Sequence, residues 1–329
     1  MNPEAVFVEA ADSARPPNTE PETAAAKNSH LGIWLSGSAG SGVGSVHRAS
    51  HSIPLVQRLL DSVVERECLS CVPPEEDYVR LRETFTTKIY PIFPLIPPAM
   101  LADDGEKSDT AILTRQLVSL AASADPDMAP YLHLQNQHPS APLPSAEFAS
   151  AIASAVRALL ETDRISDRIV RIRAHLTLSL YLQPSSTAQA DLPAQLAMRA
   201  IHDVHTLGLQ VMRFEAGEGN EELETLFCLA WAVDRLNAAM YGRPVLMHEQ
   251  DLGCDLDSCI RNRDPCFRLL LLVVQWLDQV ICLYRANTPV SEQPETAAVV
   301  DLPVLEEMIV EAEALKEPGP LIGLFCRFC

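Results

Sequence analysis

From Ile53 onward, apolar residues return every three or four positions, which is the spacing that lines one side of a helix. Leu55, Leu59, Leu60 and Val63 suit a first helix ending near Cys68. Pro73-Pro74 breaks the chain, and Asp77 is placed to cap a second helix running to Tyr90. Pro91, Pro94, Pro97 and Pro98 then force an extended crossing. A helix is expected near Asp109 to Ala122, and another from Ser145, with Glu147 completing its cap, to about Thr162. Ile165, Ile169, Ile172, Leu176 and Leu180 mark a core face that ends before Pro184. Further helices follow from about Pro193 to Leu209, from Pro265 to about Ala286, and from Pro303 to Lys316. No stretch alternates with period two. The expected fold class is all-α, an array of antiparallel helix pairs around one core.

The stretch between Glu221 and Tyr241 reads as a helix that is apolar around most of its circumference. Leu223, Leu226, Phe227, Ala230, Val233 and Met240 form its stripe, and Leu229, Trp231 and Leu236 widen it, so this helix belongs in the centre. Asp234 and Arg235 interrupt the run, and a buried charge needs a partner. Neighbouring helix residues diverge, so each partner is expected elsewhere in the chain. Gly242-Arg243-Pro244 follows, with the glycine suited to a left-handed cap and the proline to a stop. Arg243 lies where the chain can double back, which makes it the candidate cation for Asp234. Glu222, at the polar entry of the same helix, is expected to be a neutral site for alanine.

These residues carry a resemblance. A helix with Asp234-Arg235, then Gly242-Arg243-Pro244, then an acidic step at Asp251-Leu252, resembles the middle homology region of fungal zinc-cluster transcription factors. The helix ending in Leu207-Gly208-Leu209 and the segment Tyr90-Pro91-Ile92-Phe93-Pro94 fit the same pattern in the same order, over roughly residues 53 to 290. The resemblance implies a nuclear, non-enzymatic regulator of transcription. Its partners would be co-regulators or the transcription machinery, with a homodimer and a small-molecule effector also allowed. The second reading is a helical metabolite-binding protein or enzyme of secondary metabolism. Three segments result: a disordered leader over 1–52, the regulatory domain over 53–317, and an irregular tail over 318–329.

The leader is rich in Ala, Pro, Ser, Gly and Glu and has no apolar periodicity. Its glycine run lacks the lysine of a phosphate-binding loop. Formal charge is −19, from 25 basic and 44 acidic residues, so this chain alone is expected to bind duplex DNA weakly. DNA and zinc enter only through the family, whose reader is a six-cysteine cluster with interleaved basic residues. That cluster is absent here. Cys68 and Cys71, and Cys326 and Cys329, are single pairs, and Cys254, Cys259 and Cys266 have the wrong spacing. The nine cysteines read as reduced thiols, and no cofactor is expected. His202 and His205 lack a third ligand and read as surface residues. The longest apolar run, Leu269 to Tyr284, holds Gln275, Asp278 and Gln279 and reads as a buried helix too short and too polar for a bilayer.

Overall fold

The computed structural model describes residues 61–102, 108–136, 141–162, 164–184, 186–214, 220–283 and 304–316. All belong to one unit that spans 53–329. The expected leader and the expected tail lie outside the described residues, as does the first part of the helix expected from Ile53.

Every regular element among the described residues is helical. The chain enters through a π-helical turn, Val64–Cys68, and reaches α1 (Glu75–Thr84), which continues as a second π turn, Phe85–Ile89. In both turns the closing bond spans five residues: Leu69 donates to Val64 at 3.0 Å and Tyr90 to Phe85 at 2.8 Å. The proline-rich crossing runs through buried Ile92, Phe93, Leu95 and Ile96 into the single turn α2 (Pro98–Leu101). Next come α3 (Asp109–Ala122), α4 (Ser145–Leu160), α5 (Arg168–Tyr181) and α6 (Leu192–Leu207). The long α7 (Asn220–Tyr241), short α8 (Leu256–Arg261), apolar α9 (Pro265–Leu283) and α10 (Leu305–Glu311) complete the order.

Two helices start where side chains take up loose amides. Ser108 accepts from Ala111 ahead of α3, and Asp167 from Ile169 and Val170 ahead of α5. Two expected caps do other work. Asp77 lies inside α1 and its carboxylate sits 2.9 Å from His133 Nδ1. The Ser145 hydroxyl donates to the Ser123 carbonyl, tying the start of α4 to the end of α3. Gly242 (φ 62°) ends α7 in the left-handed conformation expected of it, and Gly208 (φ 70°) ends α6 in the same way, two residues before the expected Leu209.

Packing places α7 at the centre. Its residues from Leu226 to Ala232 are fully buried, including Trp231. α5 packs on α6 and α6 on α7. Asp191, at the head of α6, pairs with Arg243, past the tail of α7, so these two helices run antiparallel. α9 lies along α7 in the same direction: Arg263, just before α9, donates to the Glu221 carbonyl at 3.2 Å near the start of α7, and Asp278 pairs with Arg235 near their ends. The antiparallel step between them is supplied by α8.

By length and composition α9 could cross a membrane: it has 19 residues, and an 18-residue window has mean hydropathy 1.8. This corrects the reading of the run as too short. Its packing gives the apolarity another cause. Phe267, Leu269, Leu270, Leu271 and Val274 fill the core against α7, and Asp278 is held in an ion pair at 3.2 Å.

A histidine buried in this core should show in acid. His175, on α5, is 3% exposed and its Nδ1 has no partner. Burial pushes its pKa down from 6.5 to about 4, with Asp203 opposing and Arg171 and Arg199 assisting. Below pH 6.5 the unfolded chain takes a proton that the folded chain refuses until about pH 4. Stability therefore drains as pH falls through that window, by roughly 3 kcal/mol from this residue. His175→Gln should flatten the acid limb of a melting-temperature profile between those pH values. Parallel limbs in variant and parent would refute it.

Candidate functional site

Asp234 and Arg235 are both 1% exposed. The Asp234 carboxylate accepts from three groups: the Leu246 amide at 2.9 Å, the Met247 amide at 2.9 Å and Arg235 Nη1 at 3.0 Å. It thereby holds the strand of chain just past Gly242-Arg243-Pro244 against α7. Burial raises the pKa of this carboxyl, and the Met247 amide, Arg235 and the Leu246 amide oppose that rise. The expected partner is corrected here. Arg243 instead reaches Asp191 at 2.7 Å, on the half-exposed rim. Asp234 is served by its own neighbour, because an arginine side chain is long enough to bend back alongside its helix. The Arg235 guanidinium lies 4.8 Å from the Trp231 ring centre, and its Nε donates to Asp278 on α9 at 3.2 Å.

Glu222 also needs correcting. It is not a free polar residue at the helix entry. Its carboxylate accepts from Arg173 Nη2 at 2.8 Å, and Arg173 is 1% exposed. Nη1 of the same guanidinium donates to the Leu95 carbonyl at 2.8 Å. One arginine on α5 thus fixes both the proline-rich crossing and the start of α7. A third buried guanidinium, Arg263, pairs with Glu224 at 2.7 Å and donates to the Cys259 carbonyl at 3.1 Å.

Outside this network lies a groove of about 670 Å³, of the size that takes a small ligand. The segment 249–257 forms one wall and the outer end of α9 the other. Glu249, Asp255, Asp257 and Asp278 line it, with Leu252, Leu256 and Leu283 as apolar surface and no basic residue. Asp278 is shared: one side faces the groove, and the other holds buried Arg235. A change at the groove wall therefore reaches the Asp-Arg pair through a single side chain.

No protein-family model, curated protein or solved structure matches this chain.

The groove wall is anchored to the rest of the fold by Gly253. Its amide donates to the Gln210 carbonyl at 2.8 Å, and a Cβ there would lie 2.2 Å from the Val211 carbonyl oxygen. Only glycine permits that approach. Pattern reading picked out Asp251-Leu252 beside it but not Gly253, whose signal was only that of a glycine between two short acidic steps. The remaining candidates are dispersed. His202 and His205 are exposed on α6. Cys68 and Cys71 are buried under Gln116, which donates to both of their carbonyls. Among the described residues no set of three His, Cys, Asp or Glu side chains is arranged to hold a metal ion.

Proposed function

We propose that this chain is a nuclear, non-enzymatic transcription regulator: the helical regulatory domain of a protein resembling the fungal zinc-cluster transcription factors. It acts through contacts with co-regulators, with the transcription machinery or with a small effector, and a homodimer fits the same role. DNA and zinc belong to this reading only through the resemblance. The observation that carries it is the unit built from the motif residues. Asp234 grips the chain after Gly242-Arg243-Pro244, and Arg235 links that grip to Asp278 in the groove wall. A site coupled to the packing of the central helix suits control better than turnover. The four carboxylates and apolar floor suit an effector that is cationic and partly apolar.

The test is a fusion of the whole chain to a heterologous DNA-binding domain in a fungal reporter strain. Reporter output is expected to move away from that of the binding domain alone. Reversing two rim charges together, Glu249→Lys and Asp257→Lys, is expected to weaken the effect. Output indistinguishable from the binding domain alone, in a fusion that is folded and nuclear, would sink the transcription reading. The same groove favours the second reading, a metabolite-binding protein. That reading predicts ligand-dependent melting with no reporter effect.

A further inference from the structure

A second cleft, of about 530 Å³, opens between α5 and α6 and shares no residue with the acidic groove. Its position follows from how the two helices pair. Arg171 and His175, one turn apart in the earlier turns of α5, line it together with Arg199, His202 and Asp203 from the later turns of α6. The two helices therefore run antiparallel here. The end of α4 supplies a third wall through Leu160 and Glu161, and Glu161 is ion-paired with Arg199.

His175 is 3% exposed, and neither of its ring nitrogens has a hydrogen-bond partner among the described residues. Because this side chain lines the cleft, the little of it that solvent reaches lies there. Buried polar groups are ordinarily bonded, so an imidazole with both nitrogens unused at a cleft wall calls for a partner that enters from solvent.

Two charges beside it are also unused. Arg171 is half-buried, and its guanidinium has no partner among the described residues. Arg164, Arg173, Arg235 and Arg263 are by contrast all ion-paired. Asp203 is half-buried as well, and its carboxylate has no partner among the described residues. The charged groups that face His175 are Asp203, Arg171, Arg199 and Glu161. Arg199 and Glu161 answer one another, which leaves one cation and one anion. Burial keeps the imidazole between them uncharged near neutral pH. A simple anion would meet Arg171 but be repelled by Asp203, and a simple cation the reverse. A ligand carrying both charges satisfies both.

We propose that this cleft binds a free α-amino acid with an apolar side chain, its carboxylate on Arg171 and its ammonium on Asp203. A guanidinium offers a carboxylate two parallel donors, which fixes orientation as well as charge. The ammonium donates to the Asp203 carboxylate. His175 donates an N–H to the ligand carboxylate and adds a contact without adding a charge. Leu160 and Met198 give the ligand side chain an apolar surface. The inference goes beyond the regulatory reading and does not rest on it, because the acidic groove takes a cation at another place.

Isothermal titration of the full chain at neutral pH with L-leucine and with L-methionine tests the site. Saturable heat with a Kd of ~1 mM or tighter is expected. Isocaproate, which has the carbon chain and carboxylate of leucine but no ammonium, should bind at least ~10-fold more weakly. Arg171→Gln and Asp203→Asn should each weaken leucine binding at least ~10-fold. Both variants should melt near the parent without ligand, since neither side chain has a partner to lose. Absence of heat from both amino acids at ~10 mM would overturn the proposal. So would equal affinity for isocaproate, or leucine binding that either variant leaves intact.

Discussion

Asp234→Ala should lower stability by about 3–5 kcal/mol, enough to unfold or aggregate a domain held by ~5–15 kcal/mol. The loss has two parts. The Leu246 and Met247 amides, 2.9 Å from the carboxylate, lose their acceptor, and each stranded buried donor costs about 1–3 kcal/mol. Arg235, 1% exposed, keeps Asp278 but loses its closer partner. Asp234→Asn keeps an oxygen for the amides and should recover part of the loss. Glu76→Ala, an exposed change on α1, should stay within ~0.5 kcal/mol. Thermal melts of the three variants beside the parent decide the matter. A near-parental melt for Asp234→Ala would show that Arg235 and the 246–247 backbone find other partners.

Glu222→Ala is expected to cost about 2–3 kcal/mol, which reverses the neutral effect that its place at the helix entry suggests. The carboxylate is half exposed, which screens the pair, but its partner is not: Arg173 is 1% exposed. Burial already lowers the Arg173 pKa against the pull of Glu222, so removing that carboxylate leaves a buried cation with only the Leu95 carbonyl. Glu222→Gln retains an acceptor and should cost less than alanine. Chemical denaturation of both variants measures this, and equal midpoints for Glu222→Ala and parent would refute it.

How far pattern reading reached can be followed residue by residue. Ile169, Ile172 and Leu176 marked the core face of α5 because a helix buried on one side must repeat its apolar residues at that step. α3 occupies the span expected of it, and Gly208 and Gly242 close their helices as glycines do. Ile165 belonged to the pattern yet lies ahead of α5, buried before Asp167 opens the helix. The failures concern contacts across long separations. Nothing local tells Glu222 that Arg173, 49 residues away, will arrive beneath it. The rule that adjacent helix residues diverge describes Cβ directions, and Arg235 has a long flexible side chain beyond Cβ with which to evade it.

The two π turns carry a historical implication. An α-helix that accepts one inserted residue without shifting its ends becomes locally π-helical, so Val64–Cys68 and Phe85–Ile89 have the form of absorbed insertions. Each already contains one residue more than an α-helical turn needs. Both close the C-terminal ends of their helices, so deleting a residue from either would restore an ordinary turn and leave the helix before it in phase. The same deletion in α5 or α7 would rotate everything beyond it by about 100° and carry the core face to the outside. Length variation in this fold should therefore collect at these two turns and in the loops, and spare the central helices.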